Sequence, residues 1–124
     1  MYDLLLARSA QDEGVDMQRF AFVVDVVPEK RDEYVRLHAD VWPGVEALLS
    51  AHHVTNYSIF LIEDTLFGYY EYVGDDHDAD LAVVDADSVT REWLALTGPC
   101  QTPFGRLAAP TDGWRRLEEL WHLP

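Results

Sequence analysis

Tyr34 and His38 stand four residues apart in a stretch of helical pattern, which sets a phenol and an imidazole on one helical face, one above the other. Trp42-Pro43 follows directly, and Asn56-Tyr57 opens a run of strand character. The set is an ionisable imidazole, two phenols and an indole at a helix break. A group that titrates near neutrality can give and take protons in both directions, so reversible acid–base transfer is the chemistry available here. The same residues also have a plainer reading. A Tyr and a His on one face often border a core, Trp42 can be a core or rim aromatic, and Tyr57 alternates with Ile59 and Leu61 as a packed strand residue does. Residue types alone leave both open.

Other clusters carry less. Asp75-Asp76-His77-Asp78 has the ligand types for a metal, but its spacing fits neither a zinc site nor an EF-hand, and a solvated helix-capping run accounts for it, so no metal site is expected. His52-His53 falls at a helix end, where a favourable interaction with the helix C-terminus explains it. Cys100 has no CxxC partner and lies in a proline-rich stretch, which argues against a thiol nucleophile. There is no GxSxG element and no glycine-rich phosphate loop.

The elements that must position these residues follow from periodicity. Gln18 to Val27 predicts a strand, with Phe20, Phe22, Val24 and Val26 on one face and Ala21, Val23, Asp25 and Val27 on the other. Two largely apolar faces place it centrally in a sheet. Pro28 ends it and suits the first turn of a helix running to about Asp40; Pro43 then opens a second helix whose inward stripe is Val45, Leu48 and Leu49. Strands over Thr55–Ile62 and Thr65–Val73, split by Glu63-Asp64, form a tight hairpin. Helical pattern fills His77 to Leu96 with a break near Asp87-Ser88, and the acidic run before it can cap it. Thr97 to Gly113 holds three prolines and is expected to be a long loop, with Leu117 to Leu123 as a closing strand.

The order β-α-β-β-α-β predicts an α+β, ferredoxin-like sandwich: an antiparallel sheet with helices on one face. The other face of such a sheet carries much apolar and aromatic material, and a homodimer packing sheet on sheet is the simplest cover for it. A chain of 124 residues with 48% hydrophobic content makes one domain with one core. We expect that domain over residues 17–124. Residues 1–16 differ in character from the rest and are expected to be an N-terminal extension, with Met17 as a possible functional start. With 23 acidic against 9 basic residues the formal charge is -14, which repels phosphate backbones and anionic membranes, so neither nucleic acid nor membrane is expected as a partner. A neutral small molecule is compatible with that charge. A single cysteine and no spanning apolar stretch point to the cytoplasm.

An ordered set of segments resembles the L-rhamnose mutarotase family: Tyr34-Val35-Arg36-Leu37-His38, then Val41-Trp42-Pro43, then Asn56-Tyr57-Ser58-Ile59-Phe60, and the ending Glu119-Leu120-Trp121-His122-Leu123-Pro124. The resemblance covers nearly everything from Met17 onward. It implies a dimeric α/β barrel without a cofactor that binds a monosaccharide pyranose and interconverts its anomers. By the same resemblance the acid–base histidine falls on His38, two substrate-binding tyrosines fall on Tyr34 and Tyr57, and a pair of adjacent tryptophans falls on Glu92 and Trp93. Trp42 would help shape the same wall. Two positions depart from the pattern: Glu92 is charged where the family has an aromatic, and Gly44 stands where relatives often carry an acid. Cofactor-free monooxygenases and haem-degrading proteins share this kind of barrel, and a sugar-binding module without catalysis is a further alternative.

Overall fold

The computed structural model describes residues 17–106 and 113–124. The expected N-terminal extension over residues 1–16 lies outside them, as does part of the expected loop before Gly113.

Strand β1 (Gln18–Val26) ends at a short 3-10 turn, Pro28–Lys30, that leads into α1 (Arg31–His38). Helix α2 (Pro43–Ala51) starts on the proline, with Trp42 in extended backbone just before it. That proline has no N–H to leave unpaired in the first turn, so it restarts a helix that it could not have continued. The hairpin β2 (Val54–Ile62) and β3 (Thr65–Tyr72) follows, then α3 (His77–Ala86), α4 (Ser88–Thr97), and two short strands, β4 (Gln101–Thr102) and β5 (Arg115–Arg116). The sheet order is β2-β3-β1-β4, with β5 also on β1, and every pairing is antiparallel. This is the ferredoxin-like order, and β1 is central as expected.

Side chains of the caps divide the second helical stretch where its pattern broke. Asp76 accepts a hydrogen bond from the Ala79 N–H at 3.1 Å and starts α3. Asp87 accepts one from the Val89 N–H at 2.9 Å and starts α4. Each satisfies a donor that the helix itself cannot, an effect worth about 1 kcal/mol per cap.

The register Phe22↔Gly68 and Val24↔Leu66 sets one face of the sheet against the helices. Two groups of buried side chains form there: Val24, Val26, Tyr34, Leu66 and Cys100 in one, Phe20, Val54, Tyr70 and Tyr72 in the other. Burying a side chain such as Leu66 stabilises by roughly 1.5–3 kcal/mol. Trp114, just beyond the undescribed segment, packs against the first group. It can approach because β3 has a glycine there: a Cβ on Gly68 would stand 3.3 Å from the indole.

Three expectations are corrected. The first helix opens as a 3-10 turn and its α-helical part ends at His38, two residues before Asp40. The stretch after Thr97 is not all loop, because Gln101–Thr102 pairs with Asp25 and Val26 and supplies the fourth strand of the order. Leu117 to Leu123 is not a strand of this chain's sheet. Phe22 and Val23 pair instead with Arg115–Arg116, Leu117 gives one further hydrogen bond to the Ala21 carbonyl at 2.8 Å, and the ladder stops. Alternating side chains specify an extended segment but not a partner for it. Beyond Leu117 the tail is held by the Arg19–Glu119 ion pair at 2.9 Å, and Leu120, Trp121 and Leu123 stand exposed.

Candidate active site

Helix α1 places Tyr34 and His38 one turn apart and stacks their rings, centroids 4.2 Å apart at 25°. His38 Nδ1 lies 2.9 Å from the Tyr34 carbonyl oxygen. A carbonyl only accepts, so Nδ1 carries the proton, and in neutral His38 the remaining nitrogen, Nε2, is an unprotonated acceptor. Burial lowers the His38 pKa below its ordinary 6.5, and the bond to the carbonyl only partly opposes this. The imidazole is therefore mainly neutral at pH 7, in the form that takes a proton. Tyr34 is pushed up to about 12, first by burial, against a side-chain hydrogen bond with Gln101. It stays protonated over the working range.

A defect in the sheet brings Tyr57 to the same side. Between Thr55, opposite Glu71, and Ser58, opposite Tyr69, strand β2 has two residues where β3 has one. The extra residue is Asn56, at φ 50°, a left-handed conformation that Asn tolerates better than most residues. Its amide donates to Glu71 Oε2 at 3.1 Å, and the Tyr69 hydroxyl donates to the same oxygen at 2.9 Å. Past the bulge, Tyr57, Ile59 and Leu61 all face the helices, and the Tyr57 ring lies 5.2 Å from that of Tyr70. The ring of Tyr57 is partly exposed, but its hydroxyl sits where burial, then the Asp85 carboxylate, raises its pKa.

Trp93 on α4 is buried and meets the His38 ring edge-on at 5.4 Å; Trp42 meets Trp93 in the same way at 5.3 Å. Tyr34, His38, Tyr57 and Trp93 line one cavity of about 440 Å³, within the range of small-molecule sites. Trp42 stands behind Trp93 and does not line it. Glu92 does not line it either. Successive helical residues point about 100° apart, so the turn that aims Trp93 inward leaves Glu92 exposed.

Sequence reasoning missed several of the cavity's residues. Tyr70, Asp85, Gln101 and Trp114 all line it. So does Thr90, whose Oγ1 is buried with no hydrogen-bond partner among the described residues. Asp85 lies one helical turn after Leu81 and Tyr70 two strand positions before Tyr72, both on elements that were recognised, so counting from Leu81 and Tyr72 could have found them. Nothing local marks Gln101 or Trp114. The charged side chains at the cavity wall are Glu46 and Asp85; neither Lys nor Arg lines it among the described residues. No three metal-ligating side chains cluster among them.

Fold and site together define a small ferredoxin-like α+β protein with an acid–base cavity, in which a neutral imidazole is flanked by protonated phenols and walled by an indole. Compared with known proteins, residues 19–123 match the family model of L-rhamnose mutarotase. The L-rhamnose mutarotase of Oceanobacillus iheyensis is 36% identical over 110 residues, covering 86% of this chain and 99% of that protein. The one from Shigella flexneri is 34% identical over 110 residues, covering 87% and 100%. Among solved structures, the L-rhamnose mutarotase of Formosa agariphila superposes with a TM-score of 0.66 at 24% identity, over 86% of this chain and 99% of that one. The tetracenomycin F2 cyclase of Streptomyces glaucescens superposes at 0.59 with 17% identity, over 86% and 99%. These last two show the shared fold. The family match and the curated relatives show that the chain belongs to the L-rhamnose mutarotase family.

Proposed function

We propose that this chain interconverts the α and β anomers of L-rhamnose, or of a related deoxy-sugar pyranose, by acid–base catalysis at the cavity around His38. The observation that carries this reading is the His38 imidazole, tied through Nδ1 to the Tyr34 carbonyl so that Nε2 is left as a base on the cavity wall. Family membership and the absence of cationic side chains from the described cavity wall support a neutral sugar.

The reaction needs little machinery. His38 Nε2 takes the proton of the anomeric hydroxyl, the C1–O1 bond becomes the carbonyl as the C1–O5 bond breaks, and the imidazolium so formed returns that proton to O5, giving the open aldehyde. Rotation about C1–C2 presents the other face of the carbonyl, and the transfers run backwards as the ring closes. Tyr34, protonated throughout, supplies a donor beside the imidazole. Tyr57 hydrogen-bonds sugar hydroxyls, and Trp93 lies against the apolar face and methyl group of the sugar, with Trp42 buttressing it. Glu92 is exposed on α4 outside the cavity wall and takes no part in this scheme. No cofactor enters the scheme. Positioned acid–base catalysis contributes typically ~10²–10⁴-fold, a useful gain on a reaction that already runs slowly in water.

We further propose that the protein is a cytoplasmic homodimer serving rhamnose metabolism and that residues 17–124 form its single domain. The sheet face away from the helices exposes Phe60 and Ile62 (62% each) and Phe67, and the C-terminal tail exposes Leu120 and Trp121. A second copy laid sheet to sheet would cover them. No helix among the described residues is long and apolar enough to cross a membrane.

The test is saturation transfer by NMR between the two anomeric proton signals of L-rhamnose, with wild type and His38→Ala. Exchange speeded by wild type and not by the variant supports both the reaction and the residue. Wild type that binds sugar without speeding exchange would make the protein a binding module; no sugar binding at all would reopen oxygen- or haem-dependent chemistry.

A further inference from the structure

Tyr70 is a cavity residue that is itself held from behind. It lies on β3, 7% exposed, and lines the cavity beside Tyr57. Its hydroxyl is 2.7 Å from His77 Nε2. The His77 ring is stacked on Phe20, centroids 3.9 Å apart at 12°, and Tyr72 closes its side edge-on. His77 Nδ1 is 3.0 Å from Asp78 Oδ1, a carboxylate turned out to water.

The direction of these bonds follows from what each group can do. A carboxylate accepts only, so Nδ1 carries the proton. The tautomer with its proton on Nδ1 offers a lone pair at Nε2, and to that lone pair the Tyr70 hydroxyl donates. A phenol oxygen that donates its hydrogen keeps acceptor capacity, and among the described residues no other group bonds it. Linked donors polarise one another, so this oxygen is a better acceptor than that of a free phenol.

We propose that Tyr70, held by His77 and Asp78, is a specificity residue of the cavity: its phenol oxygen accepts a hydrogen bond from one hydroxyl of the bound sugar. The inference rests on the mutarotase reading above and adds a subsite to it. Tyr70 is the contacting residue and His77 a positioning residue. The electrostatics agree. Burial first, then Tyr57, raise Tyr70 to about 12, Asp85 and Asp78 add to this, and Arg116 opposes it. The phenol therefore keeps its proton, and its hydroxyl feels two groups of the same cavity wall.

The experiment measures anomer exchange by NMR for wild type and Tyr70→Phe on L-rhamnose and on the analogues lacking the hydroxyl on C2, C3 or C4, with circular dichroism to confirm folding. The phenylalanine keeps the ring and removes only the oxygen. One neutral hydrogen bond corresponds to roughly 3- to 10-fold in affinity. We expect Tyr70→Phe to raise KM for L-rhamnose by about that factor, with a smaller effect on kcat. One monodeoxy sugar should show the same loss with wild type and no further loss with Tyr70→Phe. His77→Phe, which retains the stack on Phe20, should show part of the KM effect, and His77→Gln, which restores an acceptor, should recover it. Wild-type kinetics in Tyr70→Phe would overturn the proposal, as would an equal loss on every analogue, the mark of a structural role. If wild type binds sugars without speeding exchange, the mutarotase reading fails alone, and the same comparison read as binding by saturation-transfer difference decides the subsite. If wild type binds none of the sugars, both fall.

Discussion

The pH dependence of anomer exchange tests the His38 assignment more sharply than loss of activity does. Burial disfavours the imidazolium, so the His38 pKa lies below 6.5, and the hydrogen bond to the Tyr34 carbonyl, which favours the charged ring, only moderates this. The unprotonated form is the base. Activity should therefore be level through neutrality and fall as pH drops through the lowered pKa, with the midpoint of the fall in kcat/KM below 6.5. Tyr34, at about 12, should produce no alkaline fall below about pH 10. His38→Ala should lower kcat/KM by about 10²–10⁴, which is about 2.7–5.4 kcal/mol of transition-state stabilisation. Whatever activity remains should no longer fall with acid. The assay is saturation transfer between the anomeric signals at pH 4.5 to 9 (roughly two pH units to either side of the ordinary histidine value), with the spontaneous rate in matched buffer subtracted at each point. A limb centred above 6.5, or the same acid limb persisting in His38→Ala, would refute the reasoning, because the titrating group would then not be this buried imidazole.

Three further perturbations test the scaffold. Asn56→Val puts a β-branched residue at φ 50° and removes the amide bond to Glu71, so it should cost about 1–2 kcal/mol in urea denaturation and weaken sugar binding through Tyr57, whereas Asn56→Gly should keep most of both. Gly74→Ala would drive a methyl into the Tyr72 hydroxyl and to 2.9 Å from His53 Nδ1, displacing Tyr72 from Asp80; the expected loss is about 1–3 kcal/mol, and an unchanged denaturation midpoint would count against this packing. Phe60→Glu, on the exposed face of the sheet, should leave the fold intact by circular dichroism and shift the mass in light scattering from dimer to monomer; wild type that is monomeric at high concentration would refute the interface itself.

Much of the architecture is legible in the sequence because its determinants are local. Pro43 restarts a helix, Asp76 and Asp87 cap two more, and the apolar residues of β1 on both faces place that strand centrally. Each of these rests on residues within a few positions of one another. The closing strand failed for the opposite reason. Leu117 to Leu123 alternates as a strand should, but pairing depends on which edge of β1 is free, and β4 and β5 already lie along it. The tail past Leu117 pairs with no strand of this chain among the described residues, and periodicity names no partner for it.

The site divides along the same line. His38 and Tyr34 were accessible because a four-residue helical spacing fixes both their contact and, through the carbonyl bond it allows, the tautomer of the imidazole. Tyr57 was placed on the correct face by its alternation with Ile59 and Leu61, although the bulge that makes the alternation useful lies one residue earlier and leaves no pattern of its own. Tyr70 and His77 are seven residues apart, on a strand and on the helix that follows it, and no period relates them. Their hydrogen bond exists because the chain reverses between Tyr72 and Asp76, where the Tyr72 hydroxyl accepts the Asp76 N–H at 2.9 Å. His77 was judged as part of an acidic run and given a solvated role, but in the fold its ring is partly buried, stacked on Phe20, and its two nitrogens bond in different directions. A histidine so placed orients a neighbour whether or not it takes part in proton transfer itself. That contact lies between elements, where sequence spacing carries no signal.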